Sequence, residues 1–196
     1  MTPQQRKNLA RKWARTLHIY LSMLGLLMLV FFASTGLMLN HEEWFGYSEP
    51  QVTTHDGTIP ADLLKEPNKL AIVERLRKDF GATGAMDSFE TETDHLNVVF
   101  KSPGRESQAS INREDGSTEV TIESHGFIGR LVELHRGVDA GRPWRWVIDV
   151  SAILFLIIGI TGFTLWLAVP KWRPLGLMAI TACVGICAIV YFMLVP

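Results

Sequence analysis

Three long apolar runs divide the chain: Leu17 to Leu39, Val150 to Val169 and Leu175 to Val195. Each run is close to the ~20 apolar residues that a helix needs to cross the hydrocarbon core of a bilayer. None of them contains Asp, Glu, Lys or Arg, and His18 lies in the first turn of the first run. The pattern predicts three transmembrane helices. The first follows an N-terminal tail within residues 1–41, the second covers residues 143–169 and the third covers residues 175–196.

Between the first two runs, residues 42–142 show the pattern of a small α+β domain. Residues Asp62 to Lys78 have apolar side chains at helical spacing, and we expect this helix to be broken or entered at Pro67. Four short segments have strand-like composition: Ser88 to Glu92, Leu96 to Lys101, Ser107 to Arg113 and Ser117 to Ile122. We therefore expect a helix packed on an antiparallel hairpin or meander. A second amphipathic stretch predicts an interfacial helix over 126–136, on the outer surface of the membrane.

The charged residues indicate the orientation of the chain in the membrane. All 20 Asp and Glu lie between Glu42 and Asp149, whereas the segments outside this range carry only basic charged side chains. Lys and Arg are retained on the cytoplasmic side of a membrane, so we expect the N-terminus and residues 170–174 to be inside. The inserted domain and the C-terminus are then periplasmic. The sequence predicts a mainly α, multi-pass protein of the bacterial inner membrane with one inserted α+β domain.

Composition and motifs argue against several function classes. The net charge of -1 gives no support for a nucleic-acid partner. Cys183 and Cys187 lie one helical turn apart in the third apolar run, where we interpret them as small packing residues. The chain has no G-x-S-x-G or H-E-x-x-H motif and no Walker A or Rossmann glycine pattern. We therefore expect neither a hydrolase site nor a nucleotide-binding reductase module.

Short motifs in and beside the membrane helices resemble those of a known family. They are Arg15-Thr16-Leu17-His18, Ser34-Thr35-Gly36-Leu37, Leu134-His135-Arg136-Gly137 and Ile160-Thr161-Gly162-Phe163-Thr164-Leu165-Trp166. Together with the inserted domain, they resemble the PepSY-associated transmembrane (PepSY_TM) family, which includes iron-regulated membrane proteins and siderophore-iron reductases. The resemblance implies a PepSY-like periplasmic domain and haem b held between membrane helices by histidine pairs. This chain departs from the larger reductases of the family, because it has only three predicted membrane helices and one PepSY-like unit.

The histidines are the candidate haem ligands. A haem iron held by two imidazoles needs one neutral ring nitrogen on each of its faces. His41 ends the first membrane helix and His135 ends the amphipathic stretch, so we expect both at the outer interface and interpret them as the axial pair of one haem b per chain. The residues expected around this haem are Arg136, Arg142, Arg130 and Arg145 at the propionates, and Gly36, Gly129, Gly137 and Gly141 where the porphyrin approaches closely. The alternative is that His41 and His135 are interfacial polar residues only.

His18 is a separate candidate ligand. An ionisable residue inside a membrane span usually faces a partner or a cavity. At ~1.5 Å per residue, the helix separates His18 from His41 by roughly the full hydrocarbon thickness, so the two cannot bind one haem. If His18 binds a second haem, a homodimer would share it, with Gly25 and Ser22 at the contact. Otherwise His18 snorkels to the lipid phosphates. The remaining histidines are His125, which could replace either outer ligand, and His55 and His95, which we expect to be solvated.

Two functions of different classes stay open at this point. The first is an inner-membrane haem b electron-transfer protein, an oxidoreductase that reduces a periplasmic acceptor such as ferric siderophore iron. Its electrons would come from a membrane quinol or from a separate reductase. The second is a non-enzymatic, membrane-anchored PepSY domain that binds or regulates a periplasmic partner, or is a subunit of a larger complex.

Overall fold

A computed structural model of the chain describes residues 2–60, 62–65 and 68–195. The elements in chain order are α1 (Pro3–Asn40), α2 (Glu42–Phe45), β1 (Gln51–Thr58), α3 (Asp62–Lys65), α4 (Lys69–Phe80), β2 (Ala85–Thr91), β3 (His95–Ser102), β4 (Arg105–Asn112), β5 (Ser117–Ser124), α5 (Gly126–Arg136), α6 (Gly141–Leu167) and α7 (Arg173–Leu194). A short 3-10 helix, Pro170–Trp172, connects α6 to α7. The chain forms two compact units, Met1–Met28 with Asp149–Pro196 and Leu29–Ile148.

In the described part of the chain, α1, α6 and α7 are long and apolar enough to cross a membrane. They contain the three apolar runs, so the structure has the three helices that the hydrophobic pattern predicts. α1 is longer than its apolar run, because the helix extends through the basic N-terminal residues to Pro3. α7 has Pro174 in its first turn, where the N–H that proline lacks would have no helical partner anyway.

Gly25 of α1 packs against α6 within the same chain. A Cβ placed on Gly25 would lie 3.0 Å from Cδ1 of Ile158 and 3.2 Å from Cδ2 of Leu154. Small residues let membrane helices approach closely, and Gly25 does so at this contact. This contact of Gly25 lies within one chain, and a contact between two chains at Gly25 and Ser22 stays a prediction.

The segment between α1 and α6 holds an antiparallel sheet of five strands in the order β1-β5-β4-β3-β2. Strands β2 to β5 correspond to the four predicted segments and form a meander in which each strand pairs with the next. The sequence pattern does not predict β1, which pairs with β5 from Gln51 to Thr58. Its residues are almost all exposed, so β1 lacks the apolar alternation that indicates a half-buried strand.

The core of this domain lies between α4 and one face of the sheet. Ile72 and Leu76 of α4 are fully buried, as are Val98, Phe100 and Ile111 of the sheet, and all of them belong to one hydrophobic cluster. This arrangement confirms the predicted helix on a meander. The spacing of the apolar residues explains this packing. They lie on one face of α4 and at alternate positions of the strands, so the helix and the sheet each have one apolar face.

The helix predicted over Asp62 to Lys78 is two helices, α3 and α4. α4 begins after Asn68, whose side chain accepts a hydrogen bond from the N–H of Ala71 at 3.3 Å. It ends at Gly81, which has a φ of 67° that favours glycine. The predicted break at Pro67 lies outside the described residues.

α5 has the bounds that the sequence predicts, Gly126–Arg136. It ends where Gly137 has a φ of 70° and donates its N–H to the carbonyls of Glu133 and Leu134. Gly129 is buried, and a Cβ there would lie only 2.2 Å from Cβ of His125, so the close packing requires glycine. The location of α5 on the membrane surface stays a prediction.

Candidate functional site

The imidazole of His135 lies against the Thr35-Gly36 dipeptide of α1. Its Nδ1 is 2.8 Å from Oγ1 of Thr35, a side chain that is only 1% exposed. The ring of Phe32 meets the imidazole edge to face, with 5.3 Å between centroids. α5 places His135 in its last turn, so the helix that the amphipathic pattern predicts positions the histidine directly.

The hydrogen bonds of Thr35 determine which ring nitrogen of His135 carries the proton. Thr35 Oγ1 lies 2.6 Å from the carbonyl oxygen of Phe31, and that carbonyl can only accept. The hydroxyl proton therefore points to Phe31, and Oγ1 accepts the N–H of His135 Nδ1. Nδ1 therefore carries a proton, and in the neutral imidazole Nε2 has none. Nε2 then keeps its lone pair, which is the state of an imidazole that binds a metal.

Gly36 provides the space that the imidazole occupies. A Cβ placed on Gly36 would lie 3.3 Å from Cε1 of His135 and 4.0 Å from Nε2. The first distance is short for two carbon atoms, so an alanine at this position would push the ring away from α1. The imidazole of His135 fills the space beside Gly36, and the approach of a porphyrin to this glycine stays a prediction.

His18 has the same arrangement with a second Thr-Gly dipeptide. Its Nδ1 lies 3.0 Å from Oγ1 of Thr161 and 3.2 Å from the carbonyl oxygen of Ile158, both on α6. Because a carbonyl only accepts, Nδ1 of His18 is the donor, and in the neutral imidazole the lone pair is on Nε2. A Cβ on Gly162 would lie 3.0 Å from Cε1 of His18, so this glycine also makes room for the imidazole.

Each of the two compact units therefore contains one seat in which a threonine accepts from Nδ1 and the next glycine makes room for the ring. We call them the Thr35-Gly36 seat, which holds His135, and the Thr161-Gly162 seat, which holds His18. In the sequence, both dipeptides are recognised as parts of the motifs that resemble those of the family, and their role beside the histidines is missed. The signal was the same dipeptide in two membrane helices.

His41 has other neighbours. Its ring is stacked on Trp44, with 3.8 Å between centroids and 5° between planes, and its Nε2 lies 3.5 Å from Nδ2 of Asn40. In the described part of the chain, no hydrogen bond or ring contact joins His41 to His135. The axial pair of His41 and His135 stays a prediction.

The other residues expected around the outer haem are spread along the chain. Arg136 and Arg142 are both exposed, one at the end of α5 and one in the first turn of α6. A Cβ on Gly137 would lie 2.8 Å from Cδ1 of Ile148, and the space at Gly129 is filled by His125, so neither glycine faces an open slot for a porphyrin. Gly141 has a φ of 73° where α6 begins.

His125 contacts Tyr47, which in turn contacts the C-terminal end of α1. Its Nδ1 lies 3.0 Å from the carbonyl oxygen of Tyr47, so it donates to that backbone. Tyr47 is buried and donates its hydroxyl to the carbonyl of Met38 at 3.0 Å. Burial raises the pKa of Tyr47, the charge of Glu42 adds to this, and Arg136 opposes it. His125 therefore has a structural contact at its Nδ1, and the side chains of His55 and His95 are exposed.

The donor atoms present restrict the cofactor that these seats could hold. Among the described residues, no cluster of three or more His, Cys, Asp and Glu side chains could hold a bare metal ion. Each seat offers one neutral imidazole in largely apolar surroundings, which suits a haem iron, whose porphyrin supplies the equatorial ligands.

Comparison with known proteins places the chain in a family. The PepSY_TM-like family matches residues 12–196, which include both seats, the three apolar helices and the sheet. No curated protein and no solved structure matches the chain. The chain is a membrane protein with a PepSY-like domain between α1 and α6, and it belongs to the PepSY_TM-like family.

Proposed function

We propose that this protein binds haem b in the bacterial inner membrane and passes electrons outward to a periplasmic acceptor such as ferric siderophore iron. The observation that supports this most is the hydrogen bond from Nδ1 of His18 and of His135 to a threonine, because a neutral imidazole held in this way has its lone pair on Nε2. His125 makes a similar Nδ1–H bond to a backbone carbonyl as a structural contact, so the distinguishing feature is the Thr-Gly dipeptide beside each of the two histidines. Two such seats, in separate units of the chain, favour a redox protein over a simple anchor.

The protein's own residues orient the ligand and control its basicity. Thr35 and Thr161 hold the Nδ1–H of their histidines, and a hydrogen bond at this nitrogen fixes the ring and the tautomer of an imidazole that binds metal through Nε2. When bound, haem supplies an iron that accepts and releases single electrons. Phe32 beside His135 and the apolar helix surfaces around His18 keep the surroundings of low polarity.

Each seat supplies one imidazole, so a second ligand has to come from elsewhere. For the outer haem we propose His41, five residues beyond Gly36, with Arg136 and Arg142 at the propionates. For the inner haem we propose His18 of a second copy in a homodimer. The electron donor would be a membrane quinol or a separate reductase.

The orientation is part of the proposal. The basic N-terminal segment and the loop with Lys171 and Arg173 would be cytoplasmic, and the sheet domain periplasmic. A reporter active only in the cytoplasm should work when it is inserted within residues 171–174 and fail within residues 49–123. The reverse result would place the sheet domain in the cytoplasm and would contradict a periplasmic electron acceptor.

Visible spectra of ligand variants test the haem proposal. The wild-type protein should show the sharp bands of a six-coordinate, low-spin b-type haem after reduction with dithionite. His135→Ala and His41→Ala should each change or remove the outer haem signal, because each removes one axial ligand. The matched controls His55→Ala and His95→Ala change exposed side chains of the same domain. An unchanged spectrum in His135→Ala would refute the outer site, and a change in the controls would show a general effect on folding.

A further inference from the structure

A solvent-facing cleft lies where the end of the sheet meets the start of α5. Its volume is about 310 Å³, and the loop after α4, the β3–β4 turn and the first turn of α5 form its walls. Its polar and aromatic lining includes Thr83, Ser102, Arg105, Ser124, Phe127 and Arg130. The volume is at the lower end of the ~300–1,000 Å³ typical of small-molecule sites.

The charged side chains in the walls of the cleft are both arginines, Arg105 and Arg130. The surroundings are acidic, since residues 42–149 contain all 20 acidic side chains and only 12 of the 19 basic ones. In the described part of the chain, neither guanidinium lies within ion-pair distance of a carboxylate. The two arginines therefore give the wall of the cleft a positive charge, although Arg105 also borders a second pocket that contains Glu106, Glu123, Glu133 and Asp139.

Arg105 is held in place by the backbone rather than by an acid. Its Nη2 donates to the carbonyl of Gly81 at 3.2 Å. Its Nε is buried and, among the described residues, has no hydrogen-bond partner. A guanidinium has five N–H donors, so the bond to Gly81 leaves most of them for a ligand.

The rest of the wall suits a small polar ligand with a flat part. Thr83 and Ser102 bring hydroxyl groups to the cleft, and Ser124 Oγ accepts the N–H of Gly126 at 3.3 Å. Phe127 is 71% exposed and provides an apolar surface at the rim. Among the described residues, no acidic side chain lines this cleft, and the Glu133 carboxylate behind its wall accepts the N–H of Gly104.

We propose that this cleft binds a phosphate or carboxylate group, whose oxygens would accept from Arg105 and Arg130. The planar fork of a guanidinium matches both kinds of oxyanion in a bidentate manner. The group belongs either to a small soluble anion or to the headgroup of an anionic lipid. The site goes beyond the haem proposal and does not depend on it.

Titration calorimetry of the full chain in nanodiscs tests this site, with inorganic phosphate and citrate as probes. In phosphatidylcholine nanodiscs we expect saturable binding. Arg130→Gln should raise the Kd by roughly tenfold or more, because it removes a charge-assisted hydrogen bond. The matched control is Arg75→Gln on α4, which also removes one exposed positive charge but leaves the cleft intact. Arg105→Lys keeps the charge and loses the fork, so we expect an intermediate Kd.

A second set of nanodiscs made of phosphatidylglycerol distinguishes the two sources of the anion. Weaker phosphate binding to wild type in these discs would assign the cleft to lipid headgroups, and equal binding would assign it to a soluble anion. Either result supports the site if Arg130→Gln weakens binding in phosphatidylcholine. Failure of the wild type to bind either probe there, or equal effects of Arg130→Gln and Arg75→Gln, would overturn the proposal.

Discussion

Replacing Thr35 by valine removes one hydroxyl and keeps the shape of the side chain. The hydroxyl oxygen is the acceptor 2.8 Å from Nδ1 of His135, at a side chain that is 1% exposed. Without it, the N–H of His135 loses its partner, and an unsatisfied buried donor costs about 1–3 kcal/mol. His135 is half-buried, so water can partly replace the hydroxyl. We therefore expect Thr35→Val to lower the free energy of unfolding by about 1 kcal/mol, the lower end of that range.

The same substitution should weaken the binding of haem more than it weakens the fold. Loss of the hydrogen-bond partner of a metal-bound histidine typically reduces the affinity for the metal by about 10-fold to 100-fold. The rate of haem release from the purified protein measures the loss of haem affinity. Urea unfolding measures the change in the free energy of unfolding. Ser34→Ala is the matched control, because the Ser34 hydroxyl is on the preceding residue and donates to the carbonyls of Val30 and Phe31.

A double-mutant cycle with His135→Ala shows whether the effect passes through the histidine. In that background the donor is gone, so Thr35→Val should cost much less than it does in the wild type. The reasoning is refuted if Thr35→Val has the same cost in both backgrounds, or if Ser34→Ala releases haem as fast as Thr35→Val does.

Three further substitutions test other parts of the structure. Gly162→Ala should lower the melting temperature, because the new Cβ would lie 3.0 Å from Cε1 of His18, whereas Gly159→Ala on the same helix has nothing within 4 Å and should not. Leu76→Ala should destabilise the domain to urea by about 2–5 kcal/mol, since it empties a fully buried position; a smaller loss would mean that the core of the domain is placed incorrectly. A backbone N–H bond lowers the pKa of Asp115, so its contribution to stability is present above the unfolded pKa of about 4 and is lost as the pH falls through the lower folded value. Asp115→Asn should therefore make stability less dependent on pH in acid, as measured by urea unfolding at several pH values, and an unchanged dependence would contradict this assignment.

The hydrophobic pattern predicts most of the fold because most elements have one buried face. α5 has its predicted bounds, and the four strands of the meander have apolar residues at the positions that face α4. β1 escapes prediction because its side chains are nearly all exposed, and its pairing with β5 comes from backbone hydrogen bonds. Such an edge strand has no periodic signal in the sequence.

The candidate site is harder to predict because it depends on which helices touch. His18 and His135 are recognised as candidates from the sequence, since histidines are rare in and beside membrane helices. Their contacts with Thr161 and Thr35 join residues more than 90 positions apart in the chain, which the spacing of motifs cannot reveal. The stacking of His41 on Trp44 joins residues close together in the chain, but it too appears only in the structure.

The haem content of the purified full chain, prepared from haem-replete cells, tests the central claim most directly. A homodimer with two outer haems and one shared inner haem should contain about 1.5 haems per polypeptide with b-type spectra. His18→Ala should reduce this ratio to about 1 and leave the spectrum of the outer haem unchanged, because the shared inner site would be lost from both copies. A colourless preparation would contradict the claim that His18 and His135 are haem ligands and would favour a non-enzymatic membrane anchor.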